Sequence, residues 1–211
     1  MSGLSTQEMC ARLAAQRVVP VLRLGSAEET RFAVDCLVEA GFACIELTLT
    51  TPGAVELIAE LRARLGDATR IGAGTVLDLA GAERCLAAGA DFIVSPCMVA
   101  GMPARAHAAG TMALLGAYTP GEVLAASREG ADVVKVFPAS SGGPAHLKAM
   151  HAVFPDIPLC PTGGVSLANV KDYFAAGAVF VGVGNNIIDA AALRAGQRQR
   201  VIEYARSYLA A

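Results

Sequence analysis

Helix-ending glycines followed by short apolar runs recur along the chain, as EAG-FACIEL, AAG-ADFIVS, AAG-TMALLG, REG-ADVVKV and AAG-AVFVGV. A glycine just past a helix takes the left-handed conformation that closes the last turn. Gly41, Gly89, Gly110, Gly130 and Gly177 therefore each mark a helix giving way to a strand. Gly66 fills the first wide gap and the segment FPDIP the second. Successive junctions then lie about 20 to 25 residues apart, the length of one helix, one strand and their short loops.

This spacing predicts eight strands, at residues 18–22, 43–48, 70–75, 91–95, 112–115, 133–137, 158–162 and 179–183. Strict alternation with helices calls for a parallel sheet, because every parallel connection needs a crossover. Eight units favour closure into a single (β/α)8 TIM barrel with an extra N-terminal helix at 4–16 and a closing helix at 197–209. An open doubly wound sheet is the alternative, since periodicity does not bring strand eight against strand one. The lack of G-x-G-x-x-G after the first strand counts against its dinucleotide-binding form. No linker or composition break divides the chain, so residues 1–211 read as one barrel domain. Its 54% hydrophobic content suits strands buried on both faces.

A formal net charge of −2 gives no basic footprint for nucleic acid or a membrane surface, so the expected partner is a small molecule. No uncharged apolar run reaches the roughly 18 residues that a membrane span needs. The opening MSGLSTQEMCARLAAQR lacks the apolar core of an export signal, and the expectation is a cytoplasmic protein. The six cysteines form no C-x-x-C pair and no cluster with histidine at zinc spacing, and they read as buried thiols. His107, His146 and His151 all fall in helical stretches. Neither a metal nor a cofactor is expected.

Polar residues inside apolar strands carry the chemistry. The sixth strand reads VVKVF, with Lys135 between valines, in a chain that has only three lysines against fourteen arginines. Alternation puts Lys135 on the face opposite Val134 and Val136, toward the barrel interior, where desolvation disfavours the charged amine. An uncharged amine is a nucleophile that forms a Schiff base with a carbonyl substrate. The bland reading is a lysine that snorkels to the mouth or pairs with a carboxylate. Glu46, the one carboxylate of the second strand, shares the inner face with Cys44 and Thr48 and is the natural partner of Lys135 and a proton carrier beside it. Glycine-rich strand ends at GAGT, PTGG and GVGN add sites for an oxyanion, the last two on consecutive strands where barrels bind phosphate.

The motifs VVPVLR, IELTLTTP, GAGTV, FIVSP, VKVFPA, GGPAHLKAM, CPTGGV and VGVG occur in this order at barrel spacing between Val18 and Asn185. Together they resemble the family of 2-keto-3-deoxy-6-phosphogluconate (KDPG) and 4-hydroxy-2-oxoglutarate (KHG) aldolases. The resemblance implies a class I aldolase that cleaves KDPG to pyruvate and glyceraldehyde 3-phosphate, or KHG to pyruvate and glyoxylate, without a metal and typically as a homotrimer. It makes Lys135 the Schiff-base lysine and Glu46 the acid/base group. It assigns Thr75, Pro96, Phe137 and Thr162 to the pyruvyl pocket, and Gly163, Gly164, Gly184 and Asn185 to the phosphate.

Two departures stand out. The best-known members carry arginine just after the E-x-T-x stretch, to hold the substrate carboxylate, where this chain has Thr50, which is still expected among the substrate-binding residues; Arg23, after the first strand, resembles the arginine of other members and can supply that charge. Asn185 replaces the serine of many members, and its amide still donates to an oxyanion. The 6-phosphogalactonate epimer of the substrate stays open as an alternative. So does a phosphate-binding barrel isomerase or epimerase that uses Glu46 as base, and so does a non-catalytic role in which Lys135 and Glu46 are structural.

Overall fold

The computed structural model describes residues 4–211. Its first half runs α1 (Thr6–Gln16), β1 (Val18–Leu22), α2 (Ala27–Ala40), β2 (Cys44–Thr48), α3 (Ala54–Leu65), β3 (Arg70–Gly74), α4 (Leu79–Ala87), β4 (Phe92–Val94), α5 (Met102–Ala108) and β5 (Met112–Ala117). The second half continues with α6 (Pro120–Arg128), β6 (Val133–Val136), α7 (Gly143–Val153), β7 (Leu159–Pro161), α8 (Val170–Ala175), β8 (Val181–Val183), α9 (Ala190–Arg194) and α10 (Arg198–Arg206). Short 3-10 turns at Ala139–Ser141 and Asn185–Ile187 follow β6 and β8. Among the described residues no helix is long and apolar enough to cross a membrane.

The strands pair in parallel in the order β7-β6-β5-β4-β3-β2-β1-β8. Strand one does meet strand eight, with Val18 opposite Val181 and Pro20 opposite Val183. Bridges from Leu159 to Ala178 and from Thr162 to Gly182 then join β7 to β8 and close the ring. The fold is therefore the (β/α)8 barrel rather than the open sheet. The six junction glycines all take positive φ, from 58° at Gly66 to 111° at Gly41, as the helix-ending reading requires.

Helix starts follow local side-chain chemistry. Ser5 and Glu8 form a reciprocal capping box at α1, and Thr119 and Glu122 do the same at α6, where a proline also enters the first turn. Ser26 and Asp78 cap α2 and α4 through their side-chain oxygens. The end of α1 is tied to the barrel by Gln16, whose amide oxygen accepts from the N–H groups of Ala43 and Cys44 while its amide nitrogen donates to the carbonyls of Val18 and Cys44.

Two apolar layers result. Outside the ring, Ile45, Leu47, Ile71, Ile93, Leu115, Val134 and Val136 pack against the helices in one continuous core. Each fully buried Leu or Ile of this layer contributes about 1.5–3 kcal/mol. Inside it, Val19, Cys44, Phe92, Met112, Val133 and Phe180 form a second cluster, into which α1 inserts Met9 and Leu13. This plug fills the N-terminal end of the barrel. Nothing comparable fills the other end, where the inner face carries Val21, Glu46, Gly74, Gly116, Lys135, Thr162 and Gly182.

Element bounds differ from the expected ones by one to three residues, the closing helix ending at Arg206 instead of 209. The fourth and eighth strands shrink to Phe92–Val94 and Val181–Val183. The third ends at Gly74 because Thr75 turns to φ 60°, a left-handed conformation foreign to a strand. The closing helix starts at Arg198, and α9, capped by Asp189, was not anticipated before it. One inner position is set by close approach of backbone. A Cβ on Gly116 would lie 2.0 Å from the carbonyl carbon of Pro96. Main chain cannot step aside as a side chain can, so Gly116→Ala is expected to cost about 3 kcal/mol. The check is a fall in the urea midpoint at unchanged slope.

Candidate active site

Lys135 lies in the middle of β6, paired with Gly116 of β5 and Cys160 of β7. Both neighbours are small; the space over Gly116 is taken by the Pro96 main chain. Lys135 and Glu46 are each about 5% exposed, and they are the buried ion pair of the barrel interior, with Nζ 3.7 Å from Oε1. That separation gives electrostatic attraction without a hydrogen bond, and Glu46 Oε1 has no other partner among the described residues. A buried oxygen left without a protein donor is costly to keep. The Lys135 ammonium also stands 5.6 Å from the centre of the Phe137 ring.

Burial pushes the Glu46 carboxyl above its usual range, while Lys135 and, more weakly, Arg23 pull it back down. The net direction is upward, so the protonated form is favoured more than in an exposed carboxyl group. Cys160, the other nucleophile next to Lys135, is different: burial raises its thiol to about 12, so it stays protonated and unreactive.

Lys135 and Glu46 line a cavity of about 310 Å3 at the C-terminal mouth of the barrel. Arg23, Thr75, Pro96, Phe137 and Thr162 line it too, as do Gly163, Gly164, Gly184 and Asn185. Eleven of the twelve site residues expected from the sequence thus share one space. The exception is Thr50. Its hydroxyl sits 2.9 Å from that of Thr48, and it faces a neighbouring depression of about 210 Å3 bordered by Leu77, Asp78 and Arg84. The chain leaves the strand after Thr48, so a short side chain at residue 50 does not reach back over the mouth. Thr75 borders both spaces.

Two lining residues escaped the sequence reading, Val21 and Asn186. Val21 was within reach of it, since alternation on β1 places it on the inner face. Asn186 was not, because its position depends on the turn after β8, where its amide donates to Val165 and its carbonyl accepts from Tyr208.

Two parts of the lining differ in chemistry. The Arg23 guanidinium donates to the Thr75 hydroxyl at 3.3 Å. Thr75 is β-branched and takes φ 60°, a conformation that costs about 1–3 kcal/mol and clusters at functional sites. In the loop after β7, Gly163 and Gly164 take consecutive positive φ values of 92° and 81°. The carbonyls of Thr162, Gly163 and Gly164 are engaged by the N–H groups of Ala139 and Ser140 and by the Asn169 amide. The loop is therefore fixed from its outer side. A cation, a backbone-rich loop and an amine beside a carboxyl group around one cavity fit an acid that carries a carbonyl.

The family model for KDPG and KHG aldolase matches residues 9–204. The chain is 40% identical over 166 residues, 75% of its length and 72% of the relative's, to the 2-dehydro-3-deoxy-phosphogluconate aldolase of Pseudomonas aeruginosa. It is 36% identical over 193 residues, 90% and 91% of the two lengths, to a probable 2-dehydro-3-deoxy-6-phosphogalactonate aldolase of Rhizobium meliloti. Among solved structures, the KDPG aldolase of Legionella pneumophila, with pyruvate captured as a covalent carbinolamine, superposes with a TM-score of 0.86 at 29% identity. That match covers 94% of this chain and 96% of the other. Motifs, barrel, site and relatives agree: the chain belongs to the KDPG and KHG aldolase family.

Proposed function

We propose that the chain is a class I aldolase in which Lys135 forms the Schiff base and Glu46 carries the protons, with KDPG as its substrate. The observation that carries this is the buried amine 3.7 Å from a carboxyl group that has no other partner, at the base of an open cavity. Nucleophilic attack needs the unprotonated amine, and Glu46 is the nearest group to take its proton.

In this reading Lys135 Nζ adds to the C2 carbonyl of the 2-keto acid and gives a carbinolamine. Loss of water leaves an iminium, which draws electrons from the adjacent C3. Glu46, directly or through a water, removes the proton of the C4 hydroxyl. The C4 oxygen then becomes a carbonyl as the C3–C4 bond breaks, and its electron pair moves into the iminium to form an enamine. The aldehyde departs, Glu46 returns the proton to C3, and hydrolysis of the iminium releases pyruvate and the free amine.

Arg23 and Thr75 serve the carboxylate in place of the missing arginine at Thr50. The Arg23–Thr75 hydrogen bond supports this, since it sets the guanidinium at the rim of the cavity. The loops at Gly163–Gly164 and Gly184–Asn185 serve the phosphate; they line the same cavity as Arg23 and Thr75, which suits a substrate that carries both charges. Two relatives are named for the phosphogalactonate epimer, one of them probable, which keeps that substrate as the second reading. We also propose a cytoplasmic homotrimer, for which the half-exposed Leu77 and Met98 on the rim loops supply apolar surface.

The test is reductive trapping. Pyruvate plus borohydride is expected to label Lys135 and inactivate the protein, while borohydride alone leaves it active. An isomerase or epimerase using Glu46 as base predicts no label at all, and a label on Lys148 or Lys171 contradicts the assigned nucleophile. KDPG is expected to give a larger kcat/KM than its C4 epimer or KHG, the comparison that defines specificity.

A further inference from the structure

We propose that Gly74 is the positioning residue that gives Glu46 its place beside Lys135. The inference rests on the reading of Glu46 as the proton carrier, and it extends it to a residue that touches neither substrate nor amine. Gly74 ends β3, opposite Thr48 of β2 in the parallel register. A methyl group built on it would lie 1.9 Å from Glu46 Oε1, 2.6 Å from the carboxyl carbon and 2.8 Å from Cγ. The Glu46 side chain thus lies across the bare Cα of Gly74 and occupies the volume where any other residue carries its Cβ.

The alternatives for Glu46 are few. Directly below, the Phe92 ring fills the corresponding space over Gly72, where a Cβ would meet it at 2.1 Å. Directly above, Thr75 is held in its left-handed turn with its hydroxyl on Arg23, so the end of β3 does not drift outward. Glu46 reaches the amine because β3 presents two glycines in succession on its inner face, and the upper of them lies under the carboxyl group.

The nature of the clash makes this testable. The three atoms nearest to a Gly74 methyl all belong to the Glu46 side chain, whereas those nearest to a Gly116 methyl are main chain. Gly74 is also absent from the glycines with positive φ, so alanine adopts its conformation without strain. The cost of Gly74→Ala therefore falls on the position of Glu46 and spares the fold, unlike Gly116→Ala. Restoring ordinary contact at about 3.5 Å moves Oε1 by more than 1 Å, and misplacement on that scale costs about 100-fold in rate.

The experiment measures kcat, KM, the pH profile and pyruvate–borohydride labelling for wild type, Gly74→Ala, Glu46→Ala and the double variant. Gly74→Ala is expected to lose about 100-fold in kcat, to keep KM within about threefold and to displace the acid limb of the profile, while Lys135 is still labelled. In the Glu46→Ala background the added methyl has room, and Gly74→Ala is expected to change the residual rate by less than about twofold. A wild-type acid limb and kcat in Gly74→Ala overturn the inference alone, and so does a further loss of about tenfold in the double variant, whose vacated volume keeps it folded even if the single variant is not. Wild-type protein that resists labelling overturns the aldolase reading and this inference with it.

Discussion

Lys135→Met is expected to abolish trapping by pyruvate and borohydride and to lower kcat by about 10^4- to 10^6-fold, the range seen when a covalent nucleophile is removed. Methionine keeps the length and apolar stem of lysine, so the barrel interior stays filled. The variant also reports on Glu46. In the native protein Lys135 opposes the upward push of burial on the carboxyl group. Without it the folded-state pKa of Glu46 rises further from that of the unfolded chain. A carboxyl whose folded pKa is raised contributes stability that is fully present below its unfolded pKa and is lost as pH rises through the folded value. Relative to wild type, Lys135→Met is therefore expected to lose stability as pH climbs out of the acid range, approaching about 3–5 kcal/mol if Glu46 is forced to ionise without its partner. Urea unfolding at several pH values reads this directly. A deficit that is the same at every pH, or residual labelling at another lysine, is incompatible with the proposed pair.

The features most legible in the sequence were those that violate a local rule. A lysine between valines and a glutamate between isoleucine and leucine break the apolar pattern of buried strands, and alternation alone put Lys135 and Glu46 on the same inner face. The structure places them 3.7 Å apart. The helix-ending glycines gave the number and order of the strands because each one requires a positive φ, which the backbone adopts at all six. Closure was not legible in the same way, since the contacts of β1 with β8 join residues far apart in the chain. Thr50 was misplaced for a related reason. Its neighbour in the sequence, Thr48, is on the inner face, but the turn that follows the strand directs residue 50 to the adjacent depression. Thr75 was expected as the last strand residue, and the left-handed turn that takes it out of β3 has no glycine to announce it. The role of Gly74 was hidden altogether, because it consists of volume that a side chain from the neighbouring strand occupies. Pattern fixes which face a residue presents; it does not fix what lies across from it.

Glu46→Gln isolates the proton step from Schiff-base formation. The amide keeps the size and the buried position of the carboxyl group, so pyruvate still finds its pocket and Lys135 is still labelled, though more slowly. Cleavage is expected to fall by about 10^2- to 10^4-fold, the usual contribution of a positioned acid/base group. The pH profile carries the sharper information. Catalysis of the C4 deprotonation needs the ionised carboxylate, so activity rises with pH as Glu46 loses its proton. Burial raises its pKa, with Lys135 and Arg23 opposing, and the acid limb of kcat/KM is therefore expected above the range of an exposed carboxylate. In Glu46→Gln that limb is expected to vanish, leaving a residual rate flat across the same interval. The stability of the wild type should also decline with rising pH through this window relative to the variant, because the raised pKa costs folding energy once Glu46 ionises. If the limb survives the substitution unchanged, another group sets it and Glu46 is only the charge partner of the lysine. A limb that vanishes together with unimpaired cleavage leaves Glu46 out of the chemistry. Only the joint loss of the limb and of the rate, with labelling retained, matches a buried carboxyl group that moves the proton while the amine holds the carbon.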